Sequence, residues 1–127
     1  MTVAERFIAF LETGEAGDVF ADDVFVDFTL PRWRLQAKGV ADAVALRRGG
    51  HPSPGKVTRS RLDALARGFV LELEEEWTQD GDRWYCREMF RAEVRADQIV
   101  ELAVYCTGDW DTARREEHAR AVRLLRP

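Results

Sequence analysis

The sequence predicts an α+β fold: a curved antiparallel sheet with helices on its concave side. Three observations carry this. The chain opens with a capped amphipathic helix, its second half is almost all strand, and Asp80-Gly81 joins two long alternating runs in one register.

The opening helix follows from Thr2 and Glu5, which have capping-box spacing and can satisfy each other's free backbone N–H groups. Val3, Phe7, Phe10 and Leu11 then fall on one face at helical spacing, and Gly14 is the stop. A further helical turn is expected over Ala16 to Ala21. In "DDVFVDFTLP", Val24, Val26, Phe28 and Leu30 alternate with Phe25, Asp27 and Thr29, which reads as a strand ended by Pro31. Asp27 points away from its apolar face. A short return strand passes through Trp33 and Leu35. Residues Val40 to Arg48 read as a helix with Val40, Val44 and Ala43 inward, ended by Gly49-Gly50, and "HPSPG" from His51 is a loop.

A strand over Val57 to Leu65 precedes the alternating run Phe69 to Thr78. Asp80-Gly81 suits a two-residue hairpin, whose central residues need positive φ. The register then pairs Trp77 with Trp84, Glu75 with Cys86, Leu73 with Glu88, Leu71 with Phe90 and Phe69 with Ala92. Apolar faces meet, and on the reverse face Glu74 meets Arg87. The last strand, Gln98 to Thr107, is read with Val100, Leu102, Val104 and Cys106 inward. This brings Cys106 beside Glu88, whereas a one-residue slip would bring Tyr105 there. "GDWD" leads into a helix from Thr112 to Leu125 with His118, Ala121, Val122 and Leu125 on one face. Asp109, Trp110 and Asp111 start and anchor it.

The chain has 127 residues with no linker-like shift in composition, so residues 1–127 read as one domain. A net charge of −4 argues against nucleic-acid or anionic-membrane partners. No apolar run approaches the roughly 18 residues of a membrane span. "MTVAERF" lacks the layout of a signal peptide, so a cytoplasmic location is expected. Cys86, Cys106, His51 and His118 form no metal-ligand spacing, and there is no nucleotide-binding loop, so neither metal nor cofactor is expected.

The element order, with "FIAFLETGEAGDVFADDVFVDFTLP" at its front, resembles the nuclear transport factor two-like superfamily, including SnoaL-like polyketide cyclases, ketosteroid isomerases, limonene-epoxide hydrolases and scytalone dehydratases. The resemblance covers residues 3 to 107. It implies a cone whose bent sheet wraps a long helix around a mostly apolar cavity, and a homodimer. In the ketosteroid isomerase branch, a tyrosine, a base aspartate and a protonated aspartate fall on Phe7, Phe28 and Glu88. Two of the three polar groups are absent, so the resemblance argues against steroid isomerisation while keeping the pocket. The epoxide hydrolase aspartate pair and the dehydratase His/His/Asp set are not evident.

Glu88 is the sharpest candidate. It lies on the apolar face of "RWYCREMF", where burial disfavours its charged form and suits acid/base chemistry. The plainer alternative is a structural carboxylate held by an arginine, an indole N–H or a backbone donor. Glu75, on the same face of the neighbouring strand, can pair with it or lie at a solvated rim. His51 is a candidate proton shuttle near the cavity mouth, or simply a solvated loop residue. The predicted pocket wall comprises Phe7, Phe28, Trp33, Leu73, Trp77, Trp84, Cys86, Phe90, Leu102, Val104 and Cys106. The cysteines are read as small buried hydrophobes. Two functions stay open. One is an apolar or aromatic small-molecule binder, extending to a cofactor-free cyclase, isomerase or hydrolase. The other is a non-catalytic ligand-binding or dimerisation module, with the outer-face Tyr85, Met89 and Tyr105 mattering most.

Overall fold

A computed structural model describes all 127 residues. Helix α1 is Val3–Thr13, followed by strands β1 (Phe20–Thr29) and β2 (Arg34–Lys38) and helix α2 (Val40–Gly50). Strands β3 (Gly55–Leu65), β4 (Gly68–Gln79), β5 (Asp82–Arg95) and β6 (Gln98–Cys106) precede helix α3 (Thr112–Ala121). The strands form one curved, unclosed sheet in the order β2-β1-β6-β5-β4-β3.

The capping box forms: Glu5 N–H donates to Thr2 Oγ1 at 3.1 Å and Thr2 N–H to Glu5 Oε2 at 2.7 Å. Gly14 closes α1 at φ 77°, a left-handed geometry that favours glycine. The buried face of α1 is Val3, Ala4, Phe7, Phe10 and Leu11. Phe7 is fully buried, with its ring edge-on to Phe90 at 4.9 Å.

The β4–β5 hairpin has the expected register, from Gln79↔Asp82 through Trp77↔Trp84, Glu75↔Cys86 and Leu73↔Glu88 to Phe69↔Ala92. Asp80 and Gly81 have φ values of 53° and 77°, as the turn requires. Cys106 pairs with Glu88, and Tyr105 lies outward against Met89.

Several expectations need correction. The sheet is mixed, because β1 runs parallel to β6 while every other pair is antiparallel. Ala16 to Ala21 forms no helix; a turn leads straight into β1 at Phe20, and Arg6 ties that turn down through Asp18 at 3.0 Å. Ile99, not Val100, is buried in β6, because the ladder shifts register there, pairing Glu93 with Glu101 but Val94 with Ile99. Helix α2 runs through Gly49 and Gly50, and His51 is its C-cap.

Helix α3 stops at Ala121, leaving Val122 and Leu125 exposed. It lies on the outer face of the sheet, where Arg115 donates to Glu76 at 2.9 Å and stacks over Tyr85. Asp111 caps it, accepting from Arg114 N–H at 2.8 Å, and Asp82 of β5 accepts from Thr112 N–H at 3.4 Å. His118 packs on Trp110, which bridges to Tyr85. Asp27 points outward as expected and holds Arg34 through two hydrogen bonds of 3.0 and 2.6 Å.

Candidate functional site

The concave face has two chemically distinct ends. Phe7, Phe10, Phe20, Phe69 and Phe90 belong to one apolar cluster with Val24, Val26, Leu102 and Val104. Two residues further along the inward faces of β4 and β5, the side chains become Glu75, Cys86 and Glu88. Beyond these lies a second cluster of Trp77, Cys86 and Cys106, covered by Phe28, Leu30 and Trp84.

Both carboxyls are buried, with Glu75 at 1% and Glu88 at 3% relative exposure. Their cation is Arg47, which the sequence reading missed. Its Nη1 and Nη2 donate to Glu75 Oε2 and Oε1 at 3.0 and 2.5 Å, and Nη2 also donates to the Leu11 carbonyl at 2.9 Å. This fork-to-fork geometry is the strong form of an arginine–carboxylate pair. The same guanidinium stands 3.8 Å from Glu88 Oε1. A signal was available: Val40, Ala43, Val44 and Arg47 continue one stripe at helical spacing, so the buried face of α2 ends in an arginine.

Glu75 and Glu88 therefore differ sharply. Burial alone would raise Glu75, but the neighbouring Glu88 carboxyl and the Arg47 charge overcome it and hold Glu75 below the ordinary carboxylate range. Burial, reinforced by the Glu75 carboxylate, pushes Glu88 well above that range. The Cys86 thiol donates to Glu88 Oε1 at 3.4 Å. Glu88 Oε2 is buried and no hydrogen-bond donor reaches it, while the Glu75 and Glu88 carboxyls stand close enough to couple. Such an orphan costs stability and calls for a reason.

His51 is not a solvated loop residue. It packs on Trp77 with ring centroids 4.5 Å apart, and burial followed by the charge of Arg47 lowers it to about 4. Its Nε2 lies 3.8 Å from Asp109 Oδ1. Asp109 thus faces the interior cluster instead of anchoring α3. Donor atoms of His51, Glu75, Cys86 and Glu88 lie within 4.8 Å of one another, as do those of Cys86, Cys106 and Asp109. Arg47 already supplies the positive charge at the first group, which works against a metal cation there.

The apolar cavity is small. Its volume is about 30 Å³, with walls from Phe7, Phe10, Leu11, Phe20, Val26, Phe28, Ala43, Leu46, Arg47, Phe90, Leu102 and Val104. Of the predicted wall, Phe7, Phe28, Phe90, Leu102 and Val104 line this space. Leu73 is packed in the core, and Trp77, Trp84, Cys86 and Cys106 belong to the second cluster. Trp33 is 66% exposed in the β1–β2 turn and lines no part of the cavity, because the hairpin carries it past the end of the sheet.

No protein-family profile matches the sequence. No curated protein is significantly similar to it. Solved structures are similar in shape. An NTF2-like protein from Anabaena variabilis superposes with a TM-score of 0.70 at 20% identity, covering 84% of this chain and 85% of that one. SalBIII, an epoxide hydrolase/cyclase-like enzyme of pyran ring formation in the polyether salinomycin, gives 0.69 at 11% identity, covering 85% and 93%. A protein with a ketosteroid isomerase-like fold from Catenulispora acidiphila, in complex with trimethylamine, gives 0.65 at 11%, covering 84% and 88%. The chain has the nuclear transport factor two-like fold. Within this fold the orphan Glu88 lies on the same face of β5 as the cavity-lining Phe90, two residues away. Phe7 and Phe28 are apolar walls of the cavity. No helix is long and apolar enough to cross a membrane.

Proposed function

We propose that the interior binds a small apolar or aromatic molecule bearing one hydrogen-bond acceptor, with Glu88 as the protonated donor or general acid. Glu75, fixed by Arg47, is the ionised partner that keeps the proton on Glu88, and His51 is a second proton-handling group. The chemistry would be cofactor-free proton transfer of the cyclase, isomerase or hydrolase type. The observation that carries this reading is the buried, unpartnered Oε2 of Glu88. A ligand carbonyl or ether oxygen would satisfy it.

A second reading has its own support. The cavity of about 30 Å³ suits a non-catalytic module whose interior is filled by its own side chains. Acetophenone and ethylbenzene distinguish the two, since they share a shape and differ in one acceptor oxygen. Saturable methyl shifts at Leu102 and Val104 are expected, with acetophenone bound about fivefold more tightly, as one net hydrogen bond allows. Glu88→Gln keeps this preference and Glu88→Leu abolishes it. Absence of saturable shifts for either probe would falsify the binding reading and favour the filled interior. With a turned-over substrate, Glu88→Gln should lower kcat by roughly 10²-fold or more.

We further place a second copy of the chain on the outer sheet face. Met89 and Tyr105 are cross-strand partners there, 43% and 59% exposed. Sedimentation equilibrium should report a dimer that Tyr105→Glu weakens.

A further inference from the structure

We propose that Asp109 and His51 form a proton passage joining the buried Glu75–Glu88 pair to solvent. This rests on the acid reading of Glu88 above. An acid that gives up its proton must recover one, and the Glu88 side chain is 0% exposed. The groups around it leave few routes. Arg47, from α2, holds its protons at all accessible pH. Cys86, on β5, has its thiol pushed far up by the contact with Cys106 and by burial. Cys106, on β6, is buried under the second cluster. Glu75, on β4, is spanned by the guanidinium.

His51 and Asp109 lead outward instead. One ring nitrogen of His51 lies within 4.8 Å of one carboxyl oxygen each of Glu75 and Glu88. Nε2 lies 3.8 Å from Asp109 Oδ1, and side-chain exposure rises from 6% at His51 to 35% at Asp109. Each gap exceeds a hydrogen bond and is of a size that one water or a small rotation closes.

The chemistry suits relay. Neutral imidazole has one acceptor nitrogen and one N–H donor. A proton arriving from Asp109 binds the acceptor nitrogen as the other nitrogen releases its own to the deprotonated Glu88, directly or through one water. The ring returns to its starting tautomer by rotation or by exchange with water. One proton enters and one leaves; no electron moves. Burial, then the Arg47 charge, holds His51 at about 4, so the ring passes protons at neutral pH without retaining them. Burial raises Asp109 from its ordinary value, bringing it closer to a proton-donating range.

The test is isotope-edited infrared spectroscopy of the C=O stretch of protonated Glu88, identified by its loss in Glu88→Gln. On dilution into D₂O the band shifts as the proton exchanges. His51→Phe keeps a ring on Trp77 and should slow the shift at least tenfold, leaving the band position and the amide exchange of Cys86 and Glu88 unchanged. Asp109→Asn should slow it severalfold. A wild-type exchange rate in His51→Phe overturns the passage. If that variant does not fold, an unchanged rate in Asp109→Asn overturns it. Absence of a band that Glu88→Gln removes defeats the acid reading itself, and the passage with it.

Discussion

The aromatic end and the ionised end of the interior are built on the same two strands, two residues apart. At one end Leu71, Phe69, Phe90 and Ala92 meet Phe7 and Phe10 of α1. At the other, Glu75, Cys86 and Glu88 meet Arg47 of α2. The first end gains from every buried atom and needs no orientation beyond packing. The second has one cation for two carboxyls, and the guanidinium spans Glu75 while standing 3.8 Å from Glu88. An apolar replacement of a buried ion pair is often no less stable, so the arrangement is poorly explained by stability alone.

The largest expected effects come from breaking each end separately. Arg47→Met strands Glu75 in the interior and should cost about 3–5 kcal/mol at pH 7, read by urea denaturation. Phe7→Ala should cost about the same, roughly 3–5 kcal/mol, by leaving a cavity. The two losses separate with pH. The folded-state pKa of Glu75 lies below its unfolded value, so its contribution is present above the unfolded pKa and lost as pH falls through the folded one. The Arg47→Met loss should therefore shrink toward acid, where Glu75 protonates, and the Phe7→Ala loss should not. An Arg47→Met loss equal at pH 4 and pH 7 would mean that the arginine acts by packing alone.

A smaller effect isolates His51. Its folded value near 4 lies below the ordinary histidine value of 6.5, so unfolding takes up a proton between those limits. Stability falls with decreasing pH across this window, by about 3 kcal/mol in all. His51→Phe should remove this acid limb and leave stability near pH 8 little changed. A limb that survives the substitution assigns the loss to carboxylates.

The smallest effect belongs to Glu88. Its folded pKa is raised, so the linked stability is present below the unfolded pKa and declines as pH rises through the range between the two values. Glu88→Gln should lie within about 1 kcal/mol of wild type near pH 5 and lose that downward slope at higher pH. A slope that persists in the variant shows that another group carries the proton.

Much of the fold was legible because neighbouring residues encode it. Thr2 and Glu5 are three residues apart, Asp80 and Gly81 are adjacent, and the hairpin register follows from that turn and period-two alternation. The same logic placed Glu75, Cys86, Glu88 and Cys106 on one inward face. It failed where the pattern was interrupted, as at Ile99, where one extra residue reverses the faces of β6.

The partnerships were another matter. Alternation placed both glutamates inward but could not say which would be ionised. That was decided when the packing of α2 brought Arg47 onto Glu75, 28 residues away in sequence. The same holds for Asp109, whose run of helix-starting residues suggested an anchor for α3 and which tertiary packing turned toward His51. The parallel pairing of β1 with β6 and the volume left between the phenylalanine rings are likewise sums over the whole sheet. The sequence by itself determined which side chains face inward, because that is local geometry. Only the tertiary structure decided their charge states and the space between them, because both depend on groups that meet only when the chain folds.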